Sequence, residues 1–139
     1  MIPVNYLAVF VAAIVNFVIG FLFHGPVLGK TWMKLANIHP TGNEKFKDMI
    51  PQMVQNFIAN LVFAYVLSVV IFATSSYYNN VGNIFGGMGI AVWVWVGFVV
   101  TSSSMDVIWM GRSFKLWVFE TFSSLVSIVA MGAIIAAWY

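Results

Sequence analysis

Few side chains in these 139 residues can do chemistry, and most of them sit inside apolar stretches. Asp106 and Glu120 are the acids in or near such stretches, His24 is the histidine, and Asn16, Gln52, Asn56 and Asn60 supply amides. A carboxylate among apolar residues marks a proton, ion or solute site unless a cation meets it. For Asp106 the cation is at hand, since Arg112 and Lys115 follow near the same helix end. Lys115 stands five residues before Glu120, off its helical face, so Glu120 is expected to pair across helices or to face water. Function and structural pairing both remain open for it.

The amides fall into register. Ala8, Ala12, Asn16, Gly20 and His24 recur at steps of four, as do Gln52, Asn56, Asn60, Ala64 and Ser68. Each set makes one small or polar stripe down an otherwise bulky helix. The plainer reading is helix packing: small residues let backbones approach, and amides must find partners wherever lipid surrounds them. In the sharper reading Asn16, His24, Asn56 and Asn60 line a polar cavity. A further run, Thr101 to Ser104, and the pair Ser123 and Ser124 add hydroxyls.

Several chemistries drop out. There is no cysteine, which removes disulfides, thiolate metal sites and thiol nucleophiles. The two histidines have no metal-ligand spacing such as His-Glu-x-x-His, and an ion held by His24 with Glu120 and Asp106 is only a minor alternative. The run Gly86-Gly87-Met88-Gly89 enters an apolar stretch rather than following a strand, so it is no phosphate loop. The serine run has no histidine near it in sequence, and such runs in membrane helices commonly serve packing. No cofactor and no metal are expected. A net charge of +2 confined to two segments does not suggest nucleic-acid binding.

The elements that position these residues follow from composition. The chain is 62% hydrophobic and 7% charged, against about 25% charged in a soluble domain. Ten charged side chains cannot cover a domain of this size, so lipid is the solvent. Four apolar stretches, roughly residues 4–28, 51–75, 84–108 and 114–138, each reach the length of about 20 residues that a spanning helix needs. The expected fold is therefore all-α: one integral membrane four-helix bundle occupying residues 1–139. No basic segment precedes the first stretch, so it is expected to stay in the mature protein rather than act as a cleaved signal.

Orientation follows from Lys and Arg. Lys30, Lys34, Lys45 and Lys47 lie in the loop after the first span, Arg112 and Lys115 in the loop after the third. The other loop and both tails carry none, which places both basic loops in the cytoplasm and both termini outside. Trp32, Trp109 and Trp117 at one end, Trp138 and Tyr139 at the other, fit the two aromatic belts. Within the loop spanning residues 29–50, Leu28, Trp32, Leu35 and Ile38 recur at helical spacing beside Lys30 and Lys34, which predicts a short helix on the membrane surface. His39-Pro40-Thr41-Gly42-Asn43 predicts a turn, and Asn43 with Glu44 predicts the cap of the next helix.

The segment Gly20-Phe21-Leu22-Phe23-His24-Gly25-Pro26-Val27-Leu28-Gly29-Lys30-Thr31-Trp32-Met33, the opening Asn5-Tyr6-Leu7-Ala8-Val9, the third-span Trp93-Val94-Trp95-Val96-Gly97-Phe98 and the closing Ala130-Met131-Gly132-Ala133-Ile134 resemble the bacterial membrane family called domain of unknown function seventeen sixty-one. The resemblance covers nearly the whole chain. Where the family pattern has an aromatic pair, often Trp-Tyr, this chain has Phe23-His24, and it has Glu120 where an amide is common. The resemblance implies four spans and a bacterial cytoplasmic (inner) membrane; it implies no activity, substrate or catalytic residues.

Orientation and polarity together put His24, Gln52, Asn56, Asn60, Asp106 and Glu120 in the cytoplasmic half, beneath a dry outer half with small-residue spacing at Gly132 and Ala136. The expectation is a tight outer seal over a polar inner vestibule. Four helices enclose little space, so the leading functional expectation is a homo-oligomer that binds or transports a small solute, with membrane lipids as its surroundings. A membrane-embedded enzyme acting on a lipid or quinone-like substrate through His24 or Glu120 is the second reading, and an accessory subunit the third.

Overall fold

The computed structural model describes residues 3–39, 42 and 45–139. The turn and cap expected at Pro40, Thr41, Asn43 and Glu44 lie outside the described residues, although Gly42 has the left-handed φ of 82° that suits a turn. Helices α1 (Tyr6–His24), α2 (Gly29–Ala36), α3 (Phe46–Tyr77), α4 (Ile84–Val94), α5 (Thr101–Met110) and α6 (Phe114–Ala137) follow in order. A π-helical segment, Trp95–Val100, joins α4 to α5, making one continuous rod from Ile84 to Met110. Among the described residues there is no strand, and four rods are long and apolar enough to cross a membrane: α1, α3, the α4–α5 rod and α6.

The helix starts are written locally. Asn5 Oδ1 accepts the Ala8 N–H at 3.1 Å, Asn83 Oδ1 the Gly86 N–H at 2.9 Å, and Ser113 Oγ the Leu116 N–H at 3.4 Å. Each side chain satisfies one of the amides that a helix start leaves without an internal partner. At the other ends Asn37 closes α2 with φ 57° and Gly111 closes α5 with φ 65°. The second span differs from its expected start at residue 51: α3 begins at Phe46, with Pro51 inside it. Proline there forfeits only the bond to the Lys47 carbonyl, in a turn whose residues are exposed, so the helix continues through it. The short helix expected around Leu28 to Ile38 is α2, with Lys30 and Lys34 exposed and Trp32 and Leu35 half-buried.

The core sits toward the end of the bundle that carries both termini. Ala8, Ala12 and Ala13 of α1, Ala64, Leu67 and Ile71 of α3, Ala91 of α4, and Ile128, Met131 and Ile135 of α6 are buried together. At its centre α4 and α6 meet backbone to backbone. A Cβ on Gly132 would lie 2.7 Å from both Ala91 Cβ and the Gly87 carbonyl oxygen; one on Gly87 would lie 2.6 Å from the Gly132 oxygen and against Ala136 Cβ. This is the small-residue seam that lipid-embedded helices use when apolar burial gives no net drive to associate. Large apolar side chains such as Phe10, Val62, Trp93 and Phe122 are exposed around the outside, as helices solvated by lipid require.

Candidate functional site

At the opposite end from the termini the carboxylates gather on one guanidinium. Gly111 turns the chain out of α5, and the Arg112 N–H donates to the Asp106 carbonyl at 3.2 Å, which brings Arg112 back over the helix end. Its Nη1 lies 3.5 Å from Asp106 Oδ2, and its Nη2 lies 3.0 and 3.1 Å from the two oxygens of Glu120. Asp106 therefore meets the cation expected for it, and Glu120 meets one that the sequence argument did not assign to it. The helical offset from Lys115 drew attention away from Arg112, whose approach depends on the turn at Gly111. Two acids share one base, with side chains 28–42% exposed. Replacing Arg112→Gln should destabilise the protein by about 1–2 kcal/mol, between the costs for exposed and for buried pairs, because it leaves two carboxylates facing each other. Unfolding in mixed micelles measures it, and Glu120→Gln, which keeps an acceptor for Arg112, should cost less than half as much.

The two amide stripes meet at one point. Asn16 Nδ2 of α1 donates to Asn60 Oδ1 of α3 at 3.0 Å, both side chains half-buried. Toward the termini the α3 stripe continues through the buried Ala64 and Ser68. In the other direction Asn56 and Gln52 are exposed, and among the described residues neither has a hydrogen-bond partner. The stripe that is core at one end is thus open at the other. Asn16→Leu should cost about 1 kcal/mol, because Asn60 loses its donor. Adding Asn60→Leu should cost little more, and a double-mutant cycle without such coupling would show that the pair does not hold α1 to α3.

His24 is separate from both sets. Its Nδ1 lies 2.9 Å from the Gly20 carbonyl, which can only accept, so Nδ1 carries a proton and donates it. The ring meets Trp32 of α2 edge-on at 4.9 Å and Phe119 of α6 at 6.1 Å. It neighbours the helix face next to Glu120 without bonding to that carboxylate among the described residues. Beside it the buried Trp32 indole N–H has no partner among the described residues. Among the described residues no three His, Asp or Glu side chains come together as a metal site.

The hydroxyl run opens α5, directly after the π segment. Thr101 donates to the Gly97 carbonyl at 2.6 Å, Ser102 to that of Phe98, and Ser103 to that of Val99 at 2.7 Å. A π turn displaces the regular backbone ladder, and hydroxyls one turn later supply donors where lipid offers none. Two tryptophans then tie this rod to α6. Trp95 Nε1 donates to the Thr121 carbonyl at 2.9 Å and to Ser124 Oγ at 3.1 Å, and Trp117 Nε1 donates to Ser103 Oγ at 2.9 Å. Ser103 and Ser124 are therefore structural groups rather than nucleophiles. Sequence reasoning placed Trp117 in a belt and gave Trp95 no role. Trp95 lies mid-span, where its N–H has no water, and that was the available signal.

No curated protein and no solved structure matches the chain. One family model does, over residues 7–136, which takes in all four long rods, the amide pair and the Arg112 cluster. The chain therefore belongs to the family described as Protein of unknown function (DUF1761).

Proposed function

We propose that this is a small multi-pass protein of the bacterial cytoplasmic membrane that binds or moves a small polar solute through a crevice at its cytoplasmic end. One observation carries the reading. The inward stripe of α3 is core from Ala64 to Ser75 but exposed at Asn56 and Gln52, so this stripe is covered toward the termini and open at the other end. Hydrogen-bonding groups gather toward this end: the Asn16–Asn60 amide pair, the exposed Asn56 amide one turn further along α3, and the Asp106–Arg112–Glu120 cluster of α5 and α6. The Lys and Arg distribution puts this end in the cytoplasm. A through pathway requires a second copy, because the terminal end is closed by the Gly87–Gly132 seam.

Native mass spectrometry from mild detergent tests the proposal. A defined oligomer that retains a reproducible small molecule supports it. Asn56→Leu is the informative variant, since among the described residues Asn56 has no partner to lose: stability should be unchanged while retention falls about tenfold, the effect of losing a well-placed polar contact. A bare monomer, or retention indifferent to Asn56→Leu, would instead favour an accessory subunit whose interhelical hydrogen bonds only hold the bundle together. The acid–base enzyme reading gains nothing here, because Glu120 is engaged by Arg112 and His24 Nδ1 by Gly20.

A further inference from the structure

At the terminal end an open cleft of about 610 Å³ lies between α3 and α4, on residues that the amide and carboxylate clusters do not use. Its polarity is graded. Thr74 and Ser75, in the last turns of α3, and Tyr78 and Asn80, in the connection that follows, line it at the end of the rods; Ile90, Val94 and Phe98 line it further along α4 and its π segment. Ser75 is 6% exposed, and its hydroxyl has no hydrogen-bond partner among the described residues. That oxygen is not sealed off, since Trp32 Nε1 is the fully inaccessible orphan, so the cleft is what it opens to. The Asn80 N–H donates to the Ser75 carbonyl at 2.8 Å, which fixes Asn80 over the same mouth. Asn80 Oδ1 is occupied by Asn83 Nδ2 at 3.1 Å, leaving the Asn80 amide protons as donors.

Those groups define an occupant. No lining residue is charged, and all ten Lys, Arg, Asp and Glu fall within residues 30–48 and 106–120, toward the other end. A phosphate or ammonium head would lie here with no counter-charge, which lipid surroundings penalise. Serine, threonine and tyrosine hydroxyls both donate and accept, so they match a head that offers both carbonyl and hydroxyl groups. From Gly86 to Phe98 the cleft follows α4 for about 18 Å at 1.5 Å per residue, a little over half of a hydrocarbon core about 30 Å thick. Gly89 leaves the α4 surface bare, since a Cβ there would meet nothing within 4 Å, whereas the Asn80 amide lies over Gly86, 3.0 Å from where its Cβ would stand. We propose that this cleft binds an uncharged monoacylglycerol, its ester and hydroxyl head on Ser75 and Asn80 and its chain along α4 to Phe98. This site shares no residue with the solute crevice, and either can fail without the other.

The test uses the purified full chain in detergent, titrated with a monoacylglycerol and read by native mass spectrometry, with phosphatidylglycerol and a lipid quinone as comparators. One equivalent of monoacylglycerol should bind. Gly89→Leu, which fills the cleft without touching protein at its Cβ, should weaken binding at least about tenfold, and Ser75→Ala about fivefold, the value of one hydrogen bond. Gly20→Leu, the same change on α1 where a Cβ also meets nothing within 4 Å, should leave binding unaltered. Thermal unfolding of each variant separates loss of binding from loss of fold, and if Gly89→Leu unfolds, Ser75→Ala decides. Wild-type affinity in Ser75→Ala or in a folded Gly89→Leu overturns the proposal. So does equal retention of phosphatidylglycerol, the mark of loose boundary lipid, or tighter retention of the quinone, whose head only accepts.

Discussion

Gly132→Val should strongly destabilise the folded bundle. The Cβ alone would stand 2.7 Å from Ala91 Cβ and 2.7 Å from the Gly87 carbonyl oxygen, and neither can rotate aside because one is a first side-chain atom and the other backbone. Relief requires α4 and α6 to separate along their closest stretch, where the buried Met131, Ile135 and Ala136 also pack. Overpacking a core costs about 1–3 kcal/mol when neighbours can shift, and more when they cannot. We expect at least about 3 kcal/mol for valine, a large part of the 5–15 kcal/mol by which proteins are stable, and about half as much for Gly132→Ala. Gly97→Ala is the contrast: a Cβ there meets nothing within 4 Å, so its effect should be neutral or slightly stabilising. Size-exclusion profile and thermal unfolding in detergent read both. A Gly132→Val protein melting like the wild type would mean that the two backbones do not meet.

The second large effect is expected at Tyr139. Its hydroxyl lies 2.9 Å from Ser68 Oγ and donates to the Pro3 carbonyl at 3.0 Å, while its ring packs on Phe72 with centroids 4.9 Å apart. Ser68 is fully buried, and Tyr139 is its hydrogen-bond partner among the described residues. One side chain thus joins the N-terminal segment, α3 and the end of α6. The connection before α4 is fitted to it as well, since a Cβ on Gly82 would stand 2.7 Å from the Tyr139 carbonyl. Tyr139→Phe should cost about 1–2 kcal/mol, the penalty for leaving a buried hydroxyl unsatisfied. Tyr139→Ala adds the lost ring and should reach about 3–4 kcal/mol. Adding Ser68→Ala to Tyr139→Phe should recover part of the loss, because the orphaned group is then gone. Absence of that recovery in unfolding measurements would place the effect in the ring alone.

Length and composition made the four rods legible, because lipid imposes a helix length and forbids unpaired backbone. The short helix α2 could be read from four apolar residues at helical spacing, and the seam at Gly132 and Ala136 from small residues four apart. Each of these depends only on neighbours along the chain. What escaped sequence reasoning depends on partners far away or on a change of helical pitch. Glu120 meets Arg112 because Gly111 reverses the chain. Tyr139 looked like a belt residue, since nothing local announces that it reaches Ser68 across 71 positions. Thr101 to Ser104 could be read as packing hydroxyls, but nothing local shows that Thr101, Ser102 and Ser103 answer the carbonyls of a π turn, which has no single-residue signature. Of the candidate site, the Asn16–Asn60 contact follows from the two stripes, whereas the isolation of His24 follows from a bond to its own helix.

The π turn also sets the phase of the third rod. At about 100° per residue, the 16 positions from Gly87 to Ser103 turn an ideal α-helix through about 1600°, leaving Ser103 about 160° around from Gly87 and facing away from α6. Yet Gly87 meets Gly132, and Ser103 meets Trp117, both on α6. The extra residue accommodated by the π turn removes about one 100° step and brings the two contact faces back within about 60°. The rod behaves as two half-screws cut with an offset: a close-fitting thread near the termini, a hydrogen-bonding thread beyond, keyed to one straight partner by a single residue out of step.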